Sequence, residues 1–540
     1  MKMACLPRLV VVLVLAAAAA AAKTPAQIAP YPPMQWHSFG LFTGDDEINE
    51  SNMLEIAAAL VSTGMAAAGY DTINVVCNGW VGRDPRTGEL LENRTLWPSG
   101  ISGFASKLHQ LSPPLKLGCY TAPREKNCMC GTMPSGGCEE GTGPGREAVD
   151  MAFFAAAGCD HVMVDMPDGP GTAAAYRTRY AAIGDGIRQS SNPDMLYGVW
   201  SGPIGYSWKW AGNDDVGGHY WRIGDDIYDG WQSLMRMWDT LQSIPGIAQR
   251  TKPGAYTFLD QMLIGDVAGR GGSVHGPGLS PDEAVAHMTL WVMAASPLLA
   301  CTDVRNMSAS VKAIWTNPEL LAVHKDPLAK MALRVDVGGY HEPENAALCQ
   351  ADYPTCQRLG PSDPGYRGPC AVCRYNSSVW EKPLADNSSA VMVLNRGDAP
   401  LSVVVLLYDL ADNTHNSWEV RDVWAQADLG VAVTSLTVVV PPHGVRLLRM
   451  RPQVPPPPPP HPPCPADFAA HAAGYWRNTD YLGRGPGTVA ACAAKCRNST
   501  AECAAFEVFV GDGYPGECYN FLSNLTLPFT AAESVTCVKI

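Results

Sequence analysis

The sequence predicts an α/β fold: a (β/α)8 TIM barrel, followed by an antiparallel β-sandwich and a small disulfide-rich module. From about Pro30 to Val335, short β-branched runs alternate with helical patterns, as they do in repeated β/α units. From about Asp336 to Met450, apolar residues recur with a period of two and no helical pattern intervenes, which is typical of antiparallel strands. Six of the 18 cysteines lie between Cys464 and Ile540, and such density characterises small modules held by disulfides.

The barrel, residues 30–335, is predicted from the order of its strands and helices. No glycine-rich phosphate loop follows the first strand, which favours a barrel over an open doubly wound sheet. The strand candidates are Thr72–Cys77, Leu115–Thr121, His161–Asp165, Met195–Trp200 and Tyr256–Leu263. The helix candidates are Asn52–Ala68, Gly103–Leu111, Ala148–Ala157, Ala173–Gln189, Trp231–Ser243 and Pro281–Ala295. Ser280 before Pro281-Asp282-Glu283 is a strong helix start, with a capping residue, a first-position proline and acids in the first turn.

Three further segments follow the barrel. Residues 336–451 are predicted to form the β-sandwich, with strands at Ala390–Leu394, Leu401–Leu407 and Leu436–Val440. Residues 452–463 hold a proline run, which favours a stiff polyproline II linker. Residues 464–540 form the predicted disulfide-rich module.

Residues 1–22 have the pattern of a secretory signal peptide. Two positively charged residues, Lys2 and Arg8, precede an apolar stretch, Leu9–Ala22, which ends in small residues. This stretch is shorter than the roughly 20 residues that cross a bilayer, so a signal peptide is favoured over a membrane anchor. We therefore expect a secreted protein, or one in the lumen of the secretory pathway, without a membrane span.

Composition and charge narrow the function further. With 46% hydrophobic and 17% charged residues, the chain of 540 residues is globular in composition, and its net charge of −13 disfavours nucleic acid as a partner. Outside the cytosol, cysteines favour disulfides, although the spacings Cys128-x-Cys130 and Cys370-x-x-Cys373 leave a zinc site as an alternative. Sequons for N-glycosylation begin at Asn49, Asn93, Asn306, Asn376, Asn387, Asn498 and Asn524.

Two groups of carboxylates are candidates for catalysis. Asp165 ends an otherwise apolar strand candidate, where barrel enzymes carry functional residues, and Asp226 lies in an acidic cluster after Arg222. Two carboxyls about 5–5.5 Å apart cleave a glycosidic bond with retention, one as nucleophile and one as acid and base. The alternative is that Asp225, Asp226 and Asp229 only cap a helix that begins near Tyr228.

The segment from Pro33 to about Met450 resembles the family 27 glycoside hydrolases, the secreted α-galactosidase (melibiase) group. The matching strings are Met288-Thr289-Leu290-Trp291, Ser296-Pro297-Leu298-Leu299, Asp303-Val304-Arg305-Asn306-Met307-Ser308, Asn317-Pro318-Glu319, Asp326-Pro327-Leu328, Leu394-Asn395-Arg396, Val420-Arg421-Asp422-Val423-Trp424 and Asp428-Leu429-Gly430. The resemblance implies a (β/α)8 barrel with an antiparallel β domain and a retaining glycosidase.

The resemblance also implies roles for six residues. Asp165 falls on the family's nucleophile, and Asp226, four residues after Arg222, falls on its acid/base. The sugar-contacting positions fall on Trp36, Tyr120 and Arg222, and Asp260 falls one residue away from another. The implied chemistry needs no metal or organic cofactor, and its substrate is a carbohydrate, either an oligosaccharide or a glycoconjugate.

Several positions depart from the family pattern. Val76 and Cys77 stand where the family has an Asp-Asp pair that holds galactose hydroxyls. Met163 and Ala122 replace a lysine and an aspartate, and the family's glutamate is replaced within Val199-Trp200-Ser201. The sequence therefore predicts a hydrolase for terminal α-galactosides or a related glycoside with altered specificity. The alternative is a catalytically inactive carbohydrate-binding or adhesion protein on the same scaffold.

The C-terminal module resembles an apple (PAN-type) domain. The resemblance depends on Cys492-x-x-x-Cys496, Cys503-Ala504-Ala505-Phe506 and Cys518-Tyr519. It implies a protein or glycan ligand, and the alternative is a disulfide-held module with no activity of its own.

Overall fold

The computed structural model describes residues 22–453, apart from 40, 43–46, 78, 128–137, 166–171, 202–204, 266–275, 336–376, 408–409 and 411–416. Beyond residue 453 it describes the backbone of five strands. The chain divides into two compact units, Met1–Pro452 and Gln453–Ile540. The predicted signal peptide, but for its last residue, and most of the proline-rich linker lie outside the described residues.

A TIM-barrel-like sheet of eight parallel strands forms the centre of the first unit. The strands are β1 (Met34–His37), β2 (Thr72–Asn74), β3 (Lys116–Thr121), β4 (His161–Asp165), β5 (Leu196–Trp200), β6 (Tyr220–Arg222), β7 (Tyr256–Phe258) and β8 (Leu298–Ala300). Each strand pairs with the next along the chain up to β7, and β1 also pairs with β8. A parallel bridge from Met262 to Ala300 joins the chain after β7 to β8, so the sheet closes on itself.

Helices cover the outside of this sheet. The longer ones are α1 (Glu50–Ser62), α2 (Gly100–His109), α3 (Glu147–Ala157), α4 (Ala173–Gln189), α5 (Trp231–Ser243), α6 (Pro281–Met293), α7 (Ala309–Thr316) and α8 (Pro318–His324). Short helical turns lie at Pro25–Ile28, Met65–Ala68, Ser207–Lys209 and Ile247–Arg250. Helix α6 begins with a complete capping box, in which Ser280 and Glu283 satisfy each other's backbone N–H groups.

Two hairpins extend from the barrel, Trp80–Arg83 with Leu90–Glu92 and Lys126–Asn127 with Glu139–Glu140. A disulfide joins Cys119 in β3 to Cys159, just before β4. Cys77 and Cys138 are also disulfide-bonded, and Cys301 is a buried free thiol. Among the described residues, no group of His, Cys, Asp or Glu side chains is placed to hold a metal ion.

A buried polar cluster occupies the barrel interior. The ring of His161 is linked to Asn74 at 2.6 Å, to Tyr220 at 3.0 Å and to Gln35 at 3.3 Å. Gly118 leaves room for this cluster, because a Cβ there would lie 1.8 Å from Asn74 Oδ1. Burial keeps the pKa of His161 well below its usual value, so its ring is neutral. Both ring nitrogens of His161 have hydrogen-bond partners within the cluster.

An antiparallel β-sandwich follows the barrel. Its strands are β9 (Leu333–Arg334), β10 (Ser377–Pro383), β11 (Ser389–Asn395), β12 (Leu401–Leu406), β13 (Ser417–Asp422), β14 (Ala427–Val433), β15 (Ser435–Val440) and β16 (Gly444–Pro452). Alternate residues such as Val391, Val403 and Leu448 fill the core of the sandwich, as the period-two pattern predicts.

The opposite face of β10, β11 and β16 packs against the barrel. Trp380, Met392 and Leu447 belong to the same buried cluster as the barrel core. Trp380 meets Trp238 of α5 edge to face, with ring centroids 5.0 Å apart. Strands β10 and β11 are therefore buried on both faces, which ties the sandwich to the barrel.

The second unit contains an antiparallel five-stranded sheet. Its strands are β17 (Phe468–His471), β18 (Tyr481–Pro486), β19 (Cys503–Gly511), β20 (Tyr514–Leu522) and β21 (Ser534–Lys539), in the order β17-β21-β19-β20-β18. The apple-type identity and the disulfides of this unit stay predictions. Within the described parts of the chain, no helix is long and apolar enough to cross a membrane.

Candidate active site

A pocket opens at the carboxyl ends of the barrel strands. Parallel strands all present their carboxyl ends at the same side of a barrel, so residues distant in sequence meet there. The pocket is lined by His37, Phe39, Val76, Cys77, Tyr120, Asp165, Trp200, Arg222, Asp226, Asp260 and Gln261. Five of the six predicted site residues are among them.

Asp165 is the last residue of β4 and is 8% exposed. The Tyr120 hydroxyl donates a hydrogen bond of 3.0 Å to its Oδ2. Burial raises the pKa of Asp165 to about 6, while the charge of Arg222 and the Tyr120 hydrogen bond act against this rise. The carboxyl is therefore ionised at neutral pH and is held in a fixed orientation.

Arg222, the last residue of β6, is the buried cation of the pocket. Its Nη2 contacts Asp226 Oδ1 and lies 3.1 Å from Asp260 Oδ2. Burial alone would lower the pKa of the guanidinium, but Asp260, Asp226 and Asp165 raise it above its ordinary value. One cation thus faces three carboxylates, which compensates part of the cost of burying them.

Asp226 lies in the loop between β6 and α5, and its side chain is 42% exposed. Arg236 Nη2 donates a hydrogen bond of 3.0 Å to its backbone carbonyl. Helix α5 begins at Trp231 with Gly230 as its N-cap and no side-chain cap. The alternative in which the Asp225, Asp226 and Asp229 side chains cap this helix is therefore wrong, because the helix starts after them without using them.

Asp260 follows β7 and accepts two hydrogen bonds besides its contact with Arg222. Its Oδ2 accepts from Ile227 N at 2.8 Å, and its carbonyl accepts from Trp291 Nε1 at 2.8 Å. Its φ of 85° is unusual for a residue with a side chain, and strained backbone of this kind often marks functional sites. Burial raises the pKa of its carboxyl to about 7, although Arg222 acts in the opposite direction.

Comparison with known proteins agrees with this fold. A sequence profile described as α-galactosidase A matches residues 32–326, and one described as the α-galactosidase C-terminal β-sandwich domain matches residues 375–450. The chain belongs to the α-galactosidase (melibiase) family of glycoside hydrolases. The resemblance predicted for residues 33 to about 450 is thereby confirmed.

Relatives within the α-galactosidase family match along most of their length. The chain is 28% identical to α-galactosidase A of Cellvibrio japonicus, over 79% of this chain and 93% of that protein. It is 26% identical to α-galactosidase of Cyamopsis tetragonoloba, over 78% and 86%.

Solved structures show the same fold. A putative α-galactosidase/melibiase from Bacteroides fragilis has a TM-score of 0.64 at 26% identity, covering 78% of this chain and 80% of that one. A family 27 β-L-arabinopyranosidase from Geobacillus stearothermophilus has a TM-score of 0.61 at 20% identity, covering 80% and 98%.

The remaining wall of the α-galactosidase-like pocket is largely apolar. Phe39, Val76 and Trp200 line it together with Cys77, which is disulfide-bonded. The Val76 backbone N–H donates a hydrogen bond of 2.9 Å to Ser38 Oγ, and Cys77 has a φ of 62°. The two positions predicted to replace the family's Asp-Asp pair thus both face the pocket and offer no carboxylate.

Trp36 is the predicted site residue that does not line the pocket. It is fully buried, and its indole donates a hydrogen bond of 3.0 Å to the Thr302 carbonyl. Side chains alternate along β1, so Gln35 and His37 face the barrel interior while Trp36 faces outward. The pocket's aromatic residues are instead Phe39, Trp200, Tyr120 and His37.

His37, Phe39 and Gln261 also line the pocket, although they are not among the site residues predicted from the sequence. Each follows or ends a barrel strand at its carboxyl end, which is the signal that could have found them. That signal was absent for β1, because a strand of four residues shows too little periodicity to be recognised.

Proposed function

We propose that this chain is a secreted, retaining glycoside hydrolase of the α-galactosidase type, with an altered preference for the sugar it releases. Asp165 and Asp226 support this proposal most directly, because both line one pocket and both face the buried cation Arg222. Most enzymes that cleave glycosidic bonds use such a pair of carboxylates.

In the proposed first step, the Asp165 carboxylate attacks the anomeric carbon while Asp226 protonates the departing glycosidic oxygen. The Asp165–carbon bond forms as the carbon–oxygen bond breaks, and the aglycone leaves as a neutral alcohol. The Tyr120 hydroxyl supports the role of Asp165 as the nucleophile, since its hydrogen bond of 3.0 Å orients the attacking carboxylate.

In the proposed second step, Asp226 removes a proton from water, and the water oxygen displaces Asp165 from the anomeric carbon. The exposure of Asp226 supports this assignment, because the residue must meet both the aglycone and water. Two inversions restore the original configuration of the sugar. Arg222 would hold both carboxylates in place and favour the ionised form of Asp165.

For the substrate, we propose a terminal α-galactoside or a glycoside close to it. Relatives named α-galactosidases support the former. One wall of the pocket is apolar and is formed by Phe39, Val76, Cys77 and Trp200. Sugar hydroxyls that face these side chains stay unpaired, so we expect the preferred sugar to differ from galactose along the edge that contacts this wall. A structural neighbour named as a β-L-arabinopyranosidase acts on a sugar without the hydroxymethyl group of galactose.

The test is a panel of p-nitrophenyl glycosides with the wild-type protein, Asp165→Asn, Asp226→Asn and Asp225→Asn. The panel includes α-D-galactoside, α-D-fucoside (6-deoxygalactoside), β-L-arabinopyranoside and α-N-acetylgalactosaminide. We expect the Asp165 and Asp226 variants to lose at least about 1000-fold in rate with an aryl substrate. Asp225→Asn is the matched control, since that neighbouring aspartate is exposed and does not line the pocket.

Azide rescue separates the two roles. With Asp165→Ala, azide should attack directly and give a glycosyl azide of inverted configuration; with Asp226→Ala, it should give the retained anomer, because Asp165 still forms the intermediate. NMR of the first product shows whether the wild-type enzyme retains configuration. Sugar binding without any hydrolysis across the panel would instead favour the inactive carbohydrate-binding alternative.

A further inference from the structure

His37 ends β1 and lines the pocket between two aromatic side chains. Its ring centroid lies 5.5 Å from that of Trp200, with the planes tilted by 31°, and 6.2 Å from that of Phe39. The residue is 1% exposed. Contact with these two aromatic rings therefore restrains the plane of the imidazole within the apolar wall.

The two ring nitrogens of His37 have different surroundings. The ring makes a hydrogen bond with the backbone of Phe39, and Nδ1 lies 3.9 Å from Cys301 Sγ. Nε2 is buried and has no hydrogen-bond partner in the described part of the chain. Buried polar atoms without a partner are rare, and in a binding pocket they indicate a ligand atom as the partner.

The protonation state of His37 follows from its neighbours. Burial lowers its pKa to about 3, and Arg222 contributes to the decrease, while the Phe39 backbone and Asp226 act in the opposite direction. The imidazole is therefore neutral at ordinary pH. Because a backbone contact that raises this pKa is one to a carbonyl, the ring donates through Nδ1, and Nε2 carries the free lone pair.

We propose that His37 Nε2 accepts a hydrogen bond from one hydroxyl of the bound sugar and is thereby a specificity-determining residue of this pocket. This inference rests on the proposed function, since it takes the pocket to hold the sugar that is cleaved. Val76 offers only an alkyl side chain, and the sulfur of Cys77 is held in a disulfide. His37 therefore supplies hydrogen bonding on a wall where the neighbouring side chains supply contact area.

The test uses three variants that separate the two nitrogens. His37→Asn places an amide near the position of Nδ1 and leaves nothing at Nε2. His37→Gln places an amide oxygen near Nε2, and His37→Phe keeps the ring without either nitrogen. If Nε2 binds a hydroxyl, kcat/KM falls about 10-fold in the Asn and Phe variants and less in the Gln variant. A purely structural role through the Phe39 backbone would give the reverse order, with Asn the mildest change.

The hydroxyl itself is found with a series of substrates that each lack one sugar hydroxyl, prepared from the best substrate of the aryl glycoside panel. In the wild-type protein, removal of the hydroxyl that His37 binds costs about 10-fold, and in His37→Asn the same removal costs nearly nothing. Equal penalties in both proteins for every hydroxyl would overturn the proposal.

If the wild-type protein cleaves none of the glycosides, the proposed function fails, but the inference about His37 can still be tested. Calorimetry then measures the binding of the parent sugar and its deoxy derivatives to the wild-type protein and the three variants. Coupling between His37 and one hydroxyl supports the proposal. Absence of coupling, or absence of any sugar binding, refutes it.

Discussion

At the scale of single residues, the Asp165 carboxyl sets the expected pH dependence. Its pKa is raised by burial to about 6, and only the ionised form is a nucleophile. Hydrolysis should therefore decline as the pH falls through about 6, because protonation removes the attacking lone pair. The measurement is kcat/KM from pH 4 to 9, which reports ionisations of the free enzyme.

Tyr120→Phe tests this assignment. Losing the donor at 3.0 Å removes an interaction that lowers the pKa of Asp165, so the acid limb should move upward by about one pH unit. Tyr256→Phe is the matched control, since that hydroxyl donates to the Ala29 carbonyl and does not line the pocket. An unmoved limb in Tyr120→Phe would assign the ionisation to another group.

The acidic part of the site is easier to predict from the sequence than its apolar part. Asp165 stands out because a carboxylate ends an apolar run, and Asp226 because a motif surrounds it. Phe39 gives no such signal, since apolar residues are ordinary in a buried barrel, and Val76 is located only through the family resemblance. Trp36 and His37 are neighbours with opposite orientations, and only the pairing of β1 with β2 and β8 decides which of them faces inward.

At the scale of helices and strands, long elements with clear ends were predictable. Helices α4 and α5 and strand β4 have the predicted bounds, since a helical stripe or a capping residue is local information. Strands β1, β6 and β8 were not recognised as barrel strands. They have three or four residues each. Strands β2 and β7 are equally short, but each lies within a longer run that was predicted as a strand, Thr72–Cys77 or Tyr256–Leu263.

The packing of β10 against α6 leads to a prediction about stability. Lys382 is fully buried in β10, and its Nζ donates a hydrogen bond of 2.8 Å to the Val292 carbonyl. Burial lowers its pKa from 10.5 to about 7, although Asp326 acts in the opposite direction. Between these two values the unfolded chain binds more protons than the folded one, so stability should rise with pH across that window.

Lys382→Met should remove this pH-dependent contribution. The free energy of unfolding in urea is measured at pH 6.5 and 9 for both proteins. We expect a larger increase in the wild-type protein than in the variant, by about 1–3 kcal/mol after allowance for relaxation around the charge. Lys312→Met on helix α7 is the control, because Lys312 is exposed. Identical pH dependence in all three proteins would contradict a discharged Lys382.

At the scale of the whole molecule, we expect the first compact unit to be catalytically active without the second. The barrel and the sandwich share one buried cluster, which includes Trp380, Met392 and Leu447. The family matches end at residue 450, and 79% of this chain already covers 93% of the Cellvibrio japonicus relative. The hydrolase should therefore be complete within residues 23–452.

Truncation after Pro452 tests this division. The shortened protein should keep kcat/KM within about twofold on soluble aryl glycosides, because none of the pocket residues lies beyond Asp260 and Gln261. Truncation after Val335 is the contrasting variant, since it removes the sandwich strands that cover barrel residues such as Trp238 and should abolish folding. The resemblance of the C-terminal unit implies either a protein or a glycan ligand. If the ligand is a glycan, the Pro452 truncation should lose retention on immobilised galactan while its activity on soluble substrate persists. Equal retention of both proteins would argue against a glycan ligand, and loss of soluble activity would argue that the second unit completes the enzyme.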